Sequence, residues 1–183
     1  MRIVSGKFKS RRFSPPKNLQ ARPTTDVAKE GLFNILNNMV DFEEISVLDM
    51  FAGTGSISFE FASRGCRKIT ALEINSVGYA FMRKVIKELE IGEVINALKY
   101  DSFRFAENTK TKFDLIFADP PYDHKGLGDI PDLIFRKGLL NPDGLLILEH
   151  PKDKDFKNHP HFLENRRYGN VNFSFFQNMK MDS

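Results

Sequence analysis

The sequence of 183 residues has a single cysteine, no tryptophan and no long uninterrupted run of apolar residues. One cysteine, Cys66, excludes an internal disulfide and a zinc site built from a cysteine cluster. No stretch approaches the ~20 apolar residues of a membrane span, and no apolar signal-peptide segment follows the basic N-terminal residues. The four histidines (124, 150, 159 and 161) lack metal-ligand spacing. We therefore expect a cytoplasmic protein with no metal.

Acidic residues are absent from the first 25 positions, where seven basic side chains lie. The other 158 residues hold 20 basic and 24 acidic side chains, so a basic segment precedes a mildly acidic body. This pattern favours an anionic partner such as nucleic acid, with a solvated tail as the alternative. The length predicts a single domain, composed of a basic N-terminal arm or hairpin (1–25) and a body (26–183).

The order of apolar patterns predicts an α/β fold. A helix is expected over residues 24–38, and strands are expected at 45–50, 68–73, 94–98, 113–118, 145–149 and 171–176. Helices are expected between several of them, at 56–64, 76–90 and 130–137. Alternating strands and helices indicate a mostly parallel sheet covered on both faces. Such sheets bind ligands beyond the carboxyl ends of their strands.

The first strand ends in Asp49 and is followed by a glycine-containing turn that precedes a helix. Its cofactor-binding candidates are Asp49, Phe51, Ala52, Gly53, Thr54 and Gly55. The third glycine of a dinucleotide fingerprint is absent, because Ser58 stands in its place. A carboxylate facing a pyrophosphate would be unfavourable, so the turn favours S-adenosylmethionine, which has a sulfonium and an amino group and no phosphate.

The next two strand ends also carry carboxylates. Glu73, followed by Ile74, is placed to accept hydrogen bonds from the ribose hydroxyls of an adenosine cofactor. Asp101 is placed to accept from the adenine amino group, with Ser102 and Phe103 beside the ring. Solvent-exposed strand-end acids are the alternative interpretation.

The fourth strand ends in the most specific motif of the chain, Asp119, Pro120, Pro121 and Tyr122. The prolines fix the backbone and provide no N–H group, so the turn is rich in acceptors. Two acceptors that bind the hydrogens of an exocyclic amino group aim its lone pair at an electrophile. Tyr122 offers a face on which a base stacks, which contributes ~1–3 kcal/mol. A rigid turn without catalytic function is the alternative.

These residues resemble class I S-adenosylmethionine-dependent methyltransferases that modify exocyclic amino groups. A narrower resemblance, to the bacterial small-subunit (16S) ribosomal RNA guanine-N2 methyltransferases, covers about residues 2–176. It is carried by Arg-Pro-Thr-Thr-Asp at 22–26, Glu-Gly-Leu-Phe-Asn at 30–34, Leu-Asp-Met-Phe-Ala-Gly-Thr-Gly at 48–55 and Ala-Ser-Arg-Gly at 62–65. It implies a Rossmann-like fold whose mostly parallel, seven-stranded sheet has an antiparallel last strand, with residues 166–168 as the short extra strand.

The resemblance also implies the reaction and its partners. S-adenosyl-L-methionine would be the cofactor, and a guanine of 16S ribosomal RNA would receive the methyl group on N2. The RNA lies within the small ribosomal subunit or an assembly intermediate, and a monomer is favoured. RNA-binding candidates in and beside the arm are Lys7, Lys9, Arg11, Arg12, Arg22 and Thr24.

Three other functions stay open at this point. One is an amino methyltransferase with another substrate, such as adenine N6 or a protein glutamine. Another is a nicotinamide-dependent oxidoreductase on a similar fold, against which the incomplete glycine motif and Asp49 argue. The third is an RNA-binding module without catalytic activity.

Overall fold

A computed structural model describes residues 1–17, 19 and 25–178 of the chain. Its seven strands are β1 (Ser46–Asp49), β2 (Lys68–Leu72), β3 (Ile95–Leu98), β4 (Phe113–Ala118), β5 (Leu140–His150), β6 (Phe162–Tyr168) and β7 (Val171–Gln177). Its helices are α1 (Asp26–Leu36), α2 (Ser56–Ser63), α3 (Ser76–Leu89), α4 (Ser102–Asn108) and α5 (Ile130–Arg136), with a 3-10 turn at Leu127–Asp129. No helix within these residues has the length and apolar character needed to cross a membrane.

The strands form one sheet in the order β3-β2-β1-β4-β5-β7-β6. Strands β1 to β5 run parallel, and β7 lies antiparallel between β5 and β6. The chain leaves β1 toward one edge and returns through α4 to β4 on the other side of β1. This reversal opens a crevice between the carboxyl ends of β1 and β4. The expected Rossmann-like sheet with an antiparallel last strand is confirmed.

Both faces of the sheet are covered by helices. Neighbouring residues of β1 point to opposite faces, so Val47 belongs to one apolar cluster and Leu48 to the other. Helices α1, α2 and α3 cover the first face, while α4 and α5 cover the second. Because both faces are buried, the central strands are short apolar runs rather than alternating ones.

Three elements differ from the sequence expectation. Helix α4 was not expected, because it has seven residues and buries only Ser102 and Ala106, so it shows no apolar repeat. Strand β5 begins five residues early, since its Asn-Pro-Asp-Gly segment resembles a turn and pairs irregularly with β4. Strand β6 is longer than the expected residues 166–168. It is a largely exposed edge strand with a polar sequence, so no apolar pattern marks its first residues.

The first 13 residues form a short hairpin that is fixed to α2. Phe13 N donates to Met1 O, and Arg2 and Arg12 form an isolated antiparallel bridge. Its turn contains Gly6 at φ +77°, and a Cβ there would lie 1.9 Å from the backbone oxygen of Ser63. Only glycine permits this close approach. The N-terminal segment therefore has a defined position on the body.

A buried carboxylate holds this hairpin. Glu60 in α2 is fully buried, and its two oxygens accept from the backbone N–H groups of Val4 and Ser5. Lys29 of α1 lies 3.8 Å from one oxygen, and Arg64 lies 3.1 Å from the other. Burial lowers the pKa of Lys29 from its ordinary value, and the charge of Glu60 partly offsets that effect.

We expect Glu60→Gln to destabilise the fold by about 3 kcal/mol or more, because it leaves the buried Lys29 without its counter-charge. The free energy of unfolding, measured by urea denaturation, checks this. Glu43→Gln is the matched control, since Glu43 pairs with Arg67 on the surface and its loss should cost less than ~1 kcal/mol. Equal losses in the two variants would contradict the stabilising role of Glu60.

Candidate active site

A cavity of about 590 Å³ lies at the carboxyl ends of the parallel strands, a size typical of small-molecule sites. All the residues expected to be catalytic line it, as do all those expected to bind the cofactor except Gly55. The lining members are Asp49, Phe51, Ala52, Gly53, Thr54, Glu73, Ile74, Asp101, Ser102, Phe103, Asp119, Pro120, Pro121 and Tyr122. The structure thus brings both predicted groups into one cavity.

Asp49 is a buried carboxylate at the end of β1. It is 1% exposed, and its Oδ2 accepts from the hydroxyl of Ser58 at 2.6 Å. Its Oδ1 has no hydrogen-bond partner among the described residues. Burial raises the pKa of Asp49 to about 7, and the nearby charge of Glu73 adds to the rise while the Ser58 hydroxyl opposes it. Such a group favours a ligand that brings a donor or a positive charge.

The glycine turn brings the backbone close to the cavity. Gly55 ends the turn at φ +79°, where a Cβ would lie 2.6 Å from the ring of Phe59. A side chain at Gly55 would therefore clash with Phe59 at the start of α2. Gly55 does not line the cavity. Around Gly53 a Cβ would meet no atom within 4 Å, so this part of the turn faces open space.

Glu73 fixes the turn from the neighbouring strand end. Its Oε2 accepts from Gly53 N at 2.7 Å, and its Oε1 accepts from Asn75 N at 2.6 Å. A carboxylate offers about four lone-pair sites, so these two bonds leave capacity for the hydroxyl groups of a ligand. Sequence analysis predicted the acid but not its contact with the turn.

An aromatic wall follows β3. Asp101 begins α4 as its N-cap, and Ser102 donates from its hydroxyl to the backbone oxygen of Met50. Phe103 stacks on His124, with ring centroids 4.9 Å apart and an interplanar angle of 6°. Phe51 meets both rings edge-on. Sequence analysis missed His124, whose only signal was its position two residues after Tyr122.

The Asp-Pro-Pro-Tyr turn follows β4 and lines the same cavity. The Tyr122 hydroxyl donates to Oε1 of Glu149 at 3.1 Å. Glu149, at the end of β5, is 4% exposed and lines the same cavity. Sequence analysis placed Glu149 at the end of an expected strand but did not count it as a site residue. The same reasoning from strand ends would have found it.

The charges that line this cavity all have one sign. Five acidic side chains contribute, those of Asp49, Glu73, Asp101, Asp119 and Glu149, and no lysine or arginine is among the described residues that line it. A pyrophosphate would meet repulsion here without a compensating cation. The donor set fits a ligand that carries positive charge and hydroxyl groups and lacks phosphate. In the described part of the chain, no cluster of three or more His, Cys, Asp or Glu side chains is suited to a metal ion.

The four predicted RNA-binding residues that the structure describes do not line the cavity. Lys7, Lys9, Arg11 and Arg12 are exposed on the hairpin, and Arg11 pairs with Glu88 near the end of α3 at 2.9 Å. Helix α3 begins near the cavity at Ser76, and the rise along its axis from there to Glu88 is about 18 Å. Arg22 and Thr24 fall outside the described residues. Thr25, next to them, caps α1 and lines the cavity.

Comparison with known proteins gives one consistent family. Residues 1–177 match the family model described as conserved hypothetical protein 95. The chain is 32% identical to the ribosomal RNA small subunit methyltransferase D of Haemophilus influenzae, over 97% of this chain and 94% of that protein. A putative methyltransferase of Escherichia coli has a TM-score of 0.86 at 25% identity, with 99% of each chain covered.

A more distant solved structure has the same fold. An RNA methyltransferase of Salinibacter ruber, in complex with S-adenosyl-L-homocysteine, has a TM-score of 0.69 at 15% identity. The match covers 88% of this chain and 97% of that chain.

We expect the stability of the ligand-free protein to depend on the protonation of Asp49. Between pH ~4 and ~7 the folded state holds a proton that the unfolded state has released, so the free energy of unfolding falls as pH rises. Each unit of pKa difference corresponds to ~1.4 kcal/mol. Urea denaturation between pH 4 and 8 should show this fall in the wild type and lose it in Asp49→Asn. Asp153→Asn, at an exposed site, is the control that should keep it; a fall that Asp49→Asn retains would contradict the assignment.

Proposed function

The chain belongs to the family described as conserved hypothetical protein 95, and we propose that it transfers a methyl group from S-adenosyl-L-methionine to the N2 amino group of a guanine in 16S ribosomal RNA. The proposal depends on one observation: the residues expected to bind the cofactor, apart from Gly55, and the Asp-Pro-Pro-Tyr turn line the same cavity. The relative from Haemophilus influenzae, named as a small-subunit ribosomal RNA methyltransferase, supports the reaction and the RNA.

The residues that follow β1, β2 and β3 fit the cofactor. Asp49, whose Oδ1 makes no hydrogen bond within the described residues, suits the amino group of the methionine part. Glu73 has acceptor capacity for the ribose hydroxyls, and the wall of Phe51, Phe103 and His124 offers apolar surface for the adenine ring. The S-adenosyl-L-homocysteine bound by the Salinibacter ruber neighbour supports this cofactor class. When bound, S-adenosylmethionine supplies a methyl group on a positively charged sulfur.

The Asp-Pro-Pro-Tyr turn after β4 fits a base. A guanine flipped out of its RNA context stacks on the ring of Tyr122. The Asp119 carboxylate and the Pro120 carbonyl accept the two hydrogens of the N2 amino group, so its lone pair points toward the methyl. Positioning and acceptor electrostatics then contribute most of the rate.

No strong general base is required at this site. Alkylation makes the amino nitrogen positively charged and therefore acidic. Its proton passes to Asp119 or to water, while the hydrogen bond from Tyr122 to Glu149 holds the aromatic ring in place.

The nicotinamide alternative is disfavoured by the charges of the cavity. A dinucleotide carries a pyrophosphate, and the described residues of the cavity lining include five acidic side chains and no lysine or arginine. Titration of the protein with S-adenosylmethionine and with NADH distinguishes the two cofactors directly.

We expect Asp119→Ala to bind S-adenosylmethionine with nearly unchanged affinity and to lose methyl transfer by a factor of ~100 or more, because one amino acceptor is removed. Labelled methyl transfer to 16S ribosomal RNA and to small subunits, followed by mapping of the modified base, measures the loss. Calorimetric titration measures cofactor affinity. Asp123→Ala, at an exposed position next to the turn, is the control that should retain activity.

Three outcomes would refute the proposal. Full activity of Asp119→Ala would remove the Asp-Pro-Pro-Tyr turn from the mechanism. Methyl label on adenine N6 would replace guanine as the substrate, and cofactor binding without transfer to any RNA would favour the non-catalytic module.

We expect the basic hairpin to bind RNA phosphates. Replacing both Arg11 and Arg12 by alanine should weaken RNA binding and flatten its dependence on salt, with the slope of log K against log salt reduced by about 1 to 2. Binding titrations between 50 and 300 mM salt (roughly the range over which counterion release is read) test this. The matched control replaces Lys110 and Lys112, on the loop before β4, by alanine. It removes the same charge as the hairpin variant, far from the cavity edge, and should leave the slope unchanged. Identical slopes in the wild type and the hairpin variant would refute the role.

A further inference from the structure

Glu149 occupies the strand end next to the catalytic turn. The register of β4 and β5 pairs Ala118 with Leu148, so Asp119 and Glu149 follow on adjacent strands, which lie about 4.8 Å apart. Glu149 is 4% exposed and lines the cavity, and its Oε1 accepts from the Tyr122 hydroxyl at 3.1 Å. A buried carboxylate therefore stands beside the groups that hold the amino group and the base.

We propose that Glu149 selects guanine by accepting a hydrogen bond from its ring N1–H. This inference rests on the proposed function, since it concerns the base that receives the methyl group. It makes Glu149 a specificity-determining residue that touches the substrate, in addition to its contact with Tyr122.

The geometry of guanine supports this assignment. The ring N1–H lies next to the carbon that carries the N2 amino group, so both donors point toward the same edge of the base. When Asp119 and the Pro120 carbonyl hold the amino group, an acceptor on the adjacent strand faces N1. A carboxylate has about four lone-pair sites, and the Tyr122 hydroxyl uses one of them.

The same carboxylate acts against adenine. Adenine has an acceptor, not a donor, at the ring nitrogen next to its amino-bearing carbon. A buried carboxylate that faces this lone pair gains no hydrogen bond and meets repulsion in a medium of low dielectric constant. Sites built to bind a donor of the substrate reject analogues that lack it by large factors.

The test uses 2-aminopurine, which keeps the N2 amino group but has an acceptor at N1. Small subunits are reconstituted with 16S ribosomal RNA that carries guanine or 2-aminopurine at the mapped position, and methyl transfer to each is measured. We expect the wild type to prefer guanine by ~100-fold or more. Glu149→Gln offers an amide N–H to the acceptor at N1, so the preference should fall by about tenfold or more.

Tyr122→Phe separates base recognition from the positioning of the tyrosine ring. It removes the hydroxyl that contacts Glu149 and keeps the aromatic face and the carboxylate. Whatever it does to the rate, we expect its preference for guanine over 2-aminopurine to stay within about twofold of the wild type. Urea denaturation of both variants verifies that they fold.

Each outcome has a separate meaning. A preference unchanged by Glu149→Gln, in protein that folds and methylates guanine, overturns the inference and leaves the proposed function intact. A preference that falls equally in Tyr122→Phe also overturns it, because Glu149 would then act only through the tyrosine. If wild-type protein does not methylate guanine, the proposed function fails and the inference fails with it.

Discussion

The reversal of strand order between β1 and β4 is the constraint on which the site depends. In a parallel sheet, all carboxyl ends meet at one edge, and the reversal leaves a crevice between the two central strands. The acidic residues that end β1, β2, β4 and β5 therefore converge although they are far apart in the sequence. No local motif alone assembles this cavity.

The convergence of carboxylates has an electrostatic cost that a cationic ligand relieves. Burial raises the pKa of Asp49 to about 7, so at neutral pH this carboxyl loses its proton readily. A ligand with positive charge stabilises the ionised form, and among the described lining residues no lysine or arginine competes for it. The same charges disfavour phosphate-bearing cofactors. The choice of cofactor thus depends on the negative electrostatic potential of the cavity as much as on its shape.

Sequence reasoning succeeded where a strand end coincided with a short motif. Asp49, Glu73 and Asp119 each end an apolar run that is buried on both faces, so their positions at the cavity followed from the fold class. Glu149 also ends such a run, but no motif marks it, and its contact with Tyr122 depends on the register of β4 and β5.

The same limit applies outside the cavity. The position of His124 depends on a loop that folds back over Phe103, and the contacts of Glu60 with residues 4 and 5 span more than 50 positions. Periodicity and propensity carry no information about such distant pairs. Charge patterning identified the basic segment but not its attachment to α2.

The attachment of the basic hairpin to α2 fixes the distance between the hairpin and the cavity, the two places proposed to recognise the substrate. The hairpin is fixed by Glu60 and Ser63, while Lys29 joins it to Ser56 at the start of the helix that follows the cofactor turn. Its basic residues near Glu88 lie about 18 Å from the cavity end of α3. In the proposed complex, RNA phosphates beside the acidic cavity are repelled, and phosphate binding at the hairpin compensates at a distance. Under the proposed function, an RNA whose folded shape spans both places binds better than an unstructured strand, and the rigid hairpin sets that distance.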